Sequence, residues 1–190
     1  FYSLALDSTG NLWSTGTNTY GQLGHDDTTN RLYFERVTAN VNVAADPSVT
    51  ITKIAAGVNR SFALDTAGRM WFAGFNANGE AGQPPYTTTI STFIRADAGP
   101  IADKSITDFA LSGYGSPIVR TSDNEYWVTG FGGDGTLGTG DTTNRYQYTK
   151  LMDVNANPPK DYGYTRSLLL ENTETGKGPS IELKNKNAVS

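Results

Sequence analysis

Every tryptophan in this chain occupies the same slot of a recurring unit. Trp13, Trp71 and Trp127 stand 58 and then 56 residues apart, and each is followed three positions later by a glycine: Gly16, Gly74 and Gly130. A period of this size marks an array of like supersecondary units. The neighbouring residues keep register. Copy one runs Ser3-Leu4-Ala5-Leu6-Asp7-Ser8-Thr9-Gly10-Asn11-Leu12-Trp13-Ser14-Thr15-Gly16, with Asn18, Gly21, Leu23 and Gly24 beyond it. Copy two, Ser61 to Gly74, repeats it with Asn76, Gly79, Ala81 and Gly82. Copy three, Pro117 to Gly130, is looser, yet Gly135, Leu137 and Gly138 fall where copy one places Gly21, Leu23 and Gly24.

A fourth copy is expected to begin at Gly163, because Gly163 to Glu171 overlays Gly57 to Asp65 without a tryptophan after it. The expected division is therefore copies at residues 1–56, 57–112 and 113–162, the start of a fourth at 163–171, and a polar tail or linker at 172–190. Within each copy the apolar stretches, such as Ser61 to Asp65 and Arg69 to Ala73, are too short for helices and are bounded by turn residues, so they read as strands. Asp7-Ser8-Thr9-Gly10, Asp65-Thr66-Ala67-Gly68 and Thr121-Ser122-Asp123-Asn124 read as the hairpin turns between them. Asn124 stands in the glycine slot, and Gly and Asn are the residues that enter the left-handed region at least cost. A blade of a few short strands buries neither face alone. Radial stacking of like blades covers them, which points to an all-β propeller.

These residues resemble the regulator of chromosome condensation repeat. Its string is matched in copy one at Ala5, Leu6, Gly10, Trp13, Gly16, Asn18, Gly21, Leu23 and Gly24, and in part by copies two and three. The resemblance covers roughly residues 1–171. It implies about three blades plus the start of a fourth. Members of the family usually close about seven blades, which at roughly 56 residues each needs about 390 residues. An incomplete ring is thus expected, with this chain as part of a longer polypeptide. The family includes exchange factors, chromatin-binding proteins, a photoreceptor and an enzyme inhibitor. Fold alone does not choose among them.

Composition removes several classes of function. The net charge is −4, and Lys and Arg do not cluster, so no electrostatic grip on nucleic acid is expected. No run of apolar residues is long enough to insert in a membrane as a helix. With no cysteine and a single histidine, His25, neither thiol chemistry nor a histidine metal cluster is available. Gly133-Asp134-Gly135-Thr136-Leu137-Gly138 fits a dinucleotide-loop pattern, but its aligned copies and the absence of a following helical period make it a blade loop. Asp26 to Arg31 and Gly140 to Arg145 recur with the repeat. Their acids read as turn formers, with the arginines expected to reach a carboxylate of the adjacent blade, and they lack the oxygen spacing of a calcium loop. No catalytic residue, cofactor or metal is assigned.

What is left is a surface. Copy two replaces the recurring loop with Gln83-Pro84-Pro85-Tyr86-Thr87-Thr88-Thr89-Ile90, and a loop that abandons the repeat is free to carry a contact. Pro85 and Tyr86 are the leading partner-contact candidates, joined by Phe131, Tyr146 and Tyr148 of copy three. The 25 Thr and 15 Asn outnumber the 34 charged residues. This abundance suggests a non-enzymatic structural or binding module of a virion or bacterial surface. Its partners would be virion neighbours, a host-surface receptor or a glycan. The alternatives are a cytoplasmic or nuclear scaffold or exchange factor for a small GTPase, and a propeller-type enzyme inhibitor.

Overall fold

Each recurring four-residue turn closes a hairpin. Gly10 N–H donates to the Asp7 carbonyl at 3.0 Å, Gly68 N–H to Asp65 at 3.0 Å and Asn124 N–H to Thr121 at 2.9 Å. The closing residue has positive φ in all three, 82° at Gly10, 74° at Gly68 and 61° at Asn124. The turns thus join strands wherever the repeat places them.

The computed structural model describes residues 1–38 and 50–151. All of them belong to one compact unit, Phe1–Asp153. The expected fourth copy and polar tail lie outside the described residues. Eleven strands form three antiparallel sheets, with two short 3-10 turns and no α-helix among the described residues. The first sheet is β1 (Tyr2–Leu6), β2 (Leu12–Gly16) and β3 (Arg31–Arg36). The second is β4 (Ile51–Ala56), β5 (Arg60–Asp65), β6 (Met70–Gly74) and β7 (Ile90–Arg95). The third is β8 (Ile106–Leu111), β9 (Pro117–Thr121), β10 (Tyr126–Gly130) and β11 (Arg145–Lys150). Each is a meander in chain order, a propeller blade, and three of them leave the ring incomplete.

The sheets are cut from the chain at different places than the sequence copies. Ile51–Ala56 closes copy one by repeat counting, yet as β4 it pairs with β5, Ile54 opposite Ala63 and Ala55 opposite Phe62. Likewise Ile106–Leu111 pairs with β9 of the third sheet. The physical reason is that the segment leaving an outer strand crosses to the next blade and becomes its inner strand. The Trp-Gly landmarks lie on other strands and do not register that crossing.

The tryptophans hold one lattice position. Trp13 pairs with Ala5 and Arg36, Trp71 with Ala63 and Arg95, and Trp127 with Val119 and Lys150. Alternate residues of a strand point to opposite faces, so each blade offers one set of side chains backward and another forward. Trp71, Ala63, Ala73 and Phe93 pack backward on Leu4, Leu6, Leu12 and Val37 of the first blade. Phe62, Leu64, Met70 and Phe72 pack forward on Ile106, Phe109, Val119, Trp127 and Tyr148 of the third. The core therefore sits between blades.

A second recurring contact locks the blades together. A Cβ on Gly24 would lie 2.5 Å from the Phe93 ring of the next blade, and one on Gly82 would lie 2.6 Å from the Tyr148 ring. The backbones meet just as closely: Gly21 against Ser91 and Gly79 against Tyr146, each leaving 2.5 Å between the would-be Cβ and Cα. The glycines are thus required twice, for positive φ and for this approach.

Candidate partner-binding surface

The loop of copy two that departs from the repeat is tied down by its own asparagine. Asn76 Nδ2 donates to the Pro85 carbonyl at 2.8 Å, and Asn76 N–H donates to the Thr87 carbonyl at 3.0 Å. That arrangement projects Tyr86 across the seam to the third blade. Its ring meets Tyr146 edge-on, with centroids 5.0 Å apart, and its hydroxyl donates to the Tyr146 carbonyl at 3.0 Å. Both rings stay exposed. Two of the residues expected at the surface are therefore brought together on one rim, with Pro85 exposed beside them.

Phe131 forms a separate pair. Its ring packs at 5.2 Å on Tyr114, which is 53% exposed and lies in the β8–β9 loop. Val58, in the β4–β5 loop, is also exposed. Tyr114 and Val58 were not anticipated from sequence, because these short loops carry no landmark. Tyr148 is a correction. It is 2% exposed, wedged under Gly82, with its hydroxyl buried and without a partner. Burial raises its pKa far above the usual phenol range. It occupies the same strand position as Phe93, so it serves blade packing rather than contact.

Beneath the rim lies an ion pair that repeat counting conceals. Arg60, at the start of β5, donates through Nη2 to Glu80 Oε1 at 2.7 Å, and both side chains are buried. Arg60 also donates to the carbonyls of Tyr114 at 2.6 Å, Val58 at 3.0 Å and Phe75 at 3.2 Å, and its guanidinium stacks over the Phe75 ring at 4.9 Å. Glu80 accepts in addition from Asn78 Nδ2 at 2.8 Å. One guanidinium thus fixes both loops that carry the exposed Val58 and Tyr114. The available signal is the co-occurrence of charge in copy two alone: Tyr2 and Ser116 fill the Arg60 slot, and Gln22 and Thr136 fill the Glu80 slot. Tyr2 packs against the same strand, its hydroxyl donating to the Arg60 carbonyl at 2.5 Å, and burial pushes its pKa up to about 12.

The recurring acidic loops pair internally. Arg31 donates to Asp27 at 2.7 Å and to Glu35 at 2.9 Å, and Arg145 donates to Asp141 at 2.8 Å. The expectation of pairing across blades is overturned. The loops curl so that residues four apart meet before the arginine can reach a neighbour. The Arg145 bond, followed by the Thr143 N–H, brings the Asp141 carboxyl down to about 2. Among the described residues no group of three His, Asp or Glu side chains is placed to hold a metal ion. The Gly133–Gly135 turn leads by loop to β11 without an α-helix, so no helix N-terminus faces the glycines.

His25 is held rather than free. Its Nε2 lies 2.9 Å from Ser14 Oγ, which itself donates to the Leu23 carbonyl at 2.9 Å. Ser14 therefore accepts from the ring. Burial, aided by the positive charge of Arg31, keeps the imidazole below its ordinary pKa.

The family model described as the regulator of chromosome condensation (RCC1) repeat matches residues 9–64. That stretch spans the copy-one string and the crossing into the second blade. The chain carries regulator of chromosome condensation repeats. A relative of these repeats, the RCC1 domain-containing protein RUG3, mitochondrial, of Arabidopsis thaliana, is 32% identical over 139 residues, covering 73% of this chain and 29% of that protein. The X-linked retinitis pigmentosa GTPase regulator of Mus musculus is 35% identical over 81 residues, 43% of this chain and 8% of its own length. The crystal structure of Prp20p from Saccharomyces cerevisiae, described with its binding properties to Gsp1p and histones, superposes with a TM-score of 0.66 at 20% identity. That superposition covers 80% of this chain and 36% of Prp20p, and it establishes the repeat fold. The chain spans less than a third of the length of either curated relative. The virion or surface setting suggested by Thr and Asn content has no counterpart among these three.

Proposed function

We propose that this chain is a non-enzymatic, protein-binding segment of a repeat propeller, whose partner contacts the rim formed by Tyr86, Tyr146, Tyr114, Phe131 and Val58. The observation that carries the reading is a pair of aromatic couples at the surface, exposed Tyr86 with exposed Tyr146 and exposed Tyr114 with half-buried Phe131. Aromatic residues on a rigid base are favoured interface anchors, and the Arg60–Glu80 pair supplies rigidity beneath two of the loops. A binding role without catalysis is supported by the state of the one Ser–His contact among the described residues, in which the Ser14 proton is committed to the Leu23 carbonyl.

A small GTPase is the partner class favoured by the relatives, one named a GTPase regulator and another described with its binding to Gsp1p. An intracellular setting accords with this and with the mitochondrial designation of the Arabidopsis relative. No helix among the described residues is long and apolar enough to cross a membrane. The test is biolayer interferometry of the chain against a panel of purified small GTPases, together with a nucleotide-release assay. Binding that falls at least tenfold in a Tyr114→Ala, Phe131→Ala double variant supports the reading. Absence of binding across the panel removes the GTPase, and binding indifferent to the rim substitutions removes the rim.

A further inference from the structure

Aromatic side chains at one end of the blades run into a single arc around Arg60. Tyr20 of the first blade meets Phe75 of the second edge-on, with centroids 5.4 Å apart. Arg60 stacks over Phe75 at 4.9 Å and donates to the carbonyls of Val58 and Tyr114, and Tyr114 packs on Phe131 at 5.2 Å. The arc crosses both seams that the described blades complete. Its exposure does not come from a missing neighbour. Val58 and Phe75 hold in the second blade the slots of Tyr114 and Phe131, and with the third blade in place Val58 stays 56% exposed and Phe75 half-buried. The loops at this end, 17–30, 57–59, 75–89, 112–116 and 131–144, contain no lysine or arginine and five acids, Asp26, Asp27, Glu80, Asp134 and Asp141. Glu80, Asp27 and Asp141 are paired with Arg60, Arg31 and Arg145. Asp26 and Asp134 remain exposed in excess. Lys104 and Lys150 pair with Asp123 and Glu125 at the opposite end, beside a hairpin turn.

We propose, on the reading of this rim as a protein-binding surface, that the arc takes a basic segment of the partner, with apolar side chains on the rings and lysine or arginine reaching the acids. Charge selects the occupant. An acidic segment brings like charge to loops that hold no cation of their own, and a neutral one leaves their excess uncompensated. A basic segment is steered to the surface and matches it on arrival. The rings accept a cation as readily as an apolar side chain, because an ammonium or guanidinium over an aromatic face is attracted by its quadrupole. Arg60 over Phe75 already adopts that geometry. Arg60 does not repel the partner, since its charge is met by Glu80 and its other donors go to the carbonyls of Val58, Phe75 and Tyr114. Tyr20 and Phe75 thereby join the contact surface, which extends it onto the first blade.

Fluorescence anisotropy of the 190-residue chain with three labelled synthetic peptides tests it, one alternating leucine with lysine, one leucine with glutamate and one serine with lysine. The expected result is that the leucine–lysine peptide binds at least tenfold more tightly than either of the others, and that added salt weakens it. Tyr20→Ser and Tyr114→Ser should each lose tenfold, while Tyr114→Phe keeps the binding. Tyr33→Ser removes an exposed ring of β3 outside the arc and should change nothing. Thermal melts matching the parent identify the variants that fold, and Asp26→Asn, which touches no ring, gives a second reading through a shallower salt dependence. Equal binding of the serine–lysine peptide, or an equal loss in Tyr33→Ser, would reduce the effect to attraction by net charge and overturn the proposal. Tighter binding of the leucine–glutamate peptide, or no binding of any peptide, would overturn it too. A small GTPase held through Tyr114 and Phe131 by a chain that ignores the leucine–lysine peptide would remove the basic segment and leave the rim standing.

Discussion

Trp71 Nε1 donates to Asp65 Oδ2 at 2.8 Å, latching the hairpin turn to the central strand of its blade. Trp13 makes the same bond to Asp7 at 3.0 Å. The third blade has Thr121 at this position, and Trp127 Nε1 is buried without a partner. Asp65 also accepts from the Ala67 and Arg69 N–H groups at 2.9 and 3.0 Å, as well as from Arg69 Nε. Asp65→Ala should therefore cost about 3 kcal/mol, while Thr121→Asp should stabilise by about 1 kcal/mol by supplying the missing acceptor. Urea denaturation of both variants against the parent measures the two signs.

The glycine sockets give an internal control. Gly82 and Gly138 share a φ of 68°, but among the described residues only Gly82 faces a ring. Gly138→Ala should cost about 1 kcal/mol, the conformational penalty alone. Gly82→Ala should cost about 3 kcal/mol, because the Tyr148 ring must also move. Thermal melts at dilution separate them, and equal losses would mean that the ring yields freely.

Removing the guanidinium beneath the rim leaves a carboxylate stranded. Arg60→Met should destabilise by about 3–5 kcal/mol, since Glu80 is fully buried. The double variant with Glu80→Gln should recover most of that, because copy one already carries Gln22 in this slot. If the double variant is no better than the single, the carbonyl contacts of Arg60 dominate over its charge.

His25 makes stability depend on pH. The folded ring is held below its ordinary value of 6.5, so the unfolded chain takes up the proton first. Stability is unaffected well above pH 6.5 and falls as pH drops from about 7 to 5. His25→Gln, the residue at the matching slot in copy two, should flatten that slope in denaturation curves taken at pH 7 and pH 5.

The repeat made the strands, hairpins and blade fold legible, since Trp, Gly and the turn residues are demanded by local geometry that recurs in each copy. What it could not show was which side of a seam a residue serves. Tyr148 reads as a contact residue because Tyr146, two residues before it on β11, is one; strand alternation would place both on one face, and the register shift between Arg145 and Thr149, the span that holds both, leaves no mark on the sequence. Ile51–Ala56 falls within copy one by repeat counting and within the second sheet by pairing, as strand pairing across a crossing leaves no mark on either segment. Arg60 and Glu80 stand 20 residues apart, in slots filled differently by copies one and three, and charge complementarity is visible only once the two slots are known to touch. Tyr114 sits in a loop that no landmark indexes.

The offset between sheet and repeat has an evolutionary consequence. Since the polypeptide hands its inner strand to the following blade, duplicating or deleting a whole period splices matching edges wherever the break falls. The donor and acceptor of each crossing are restored together. A unit can thus be gained or lost without redesigning a junction, so closure of the ring, rather than the fit of neighbouring units, is what constrains their number.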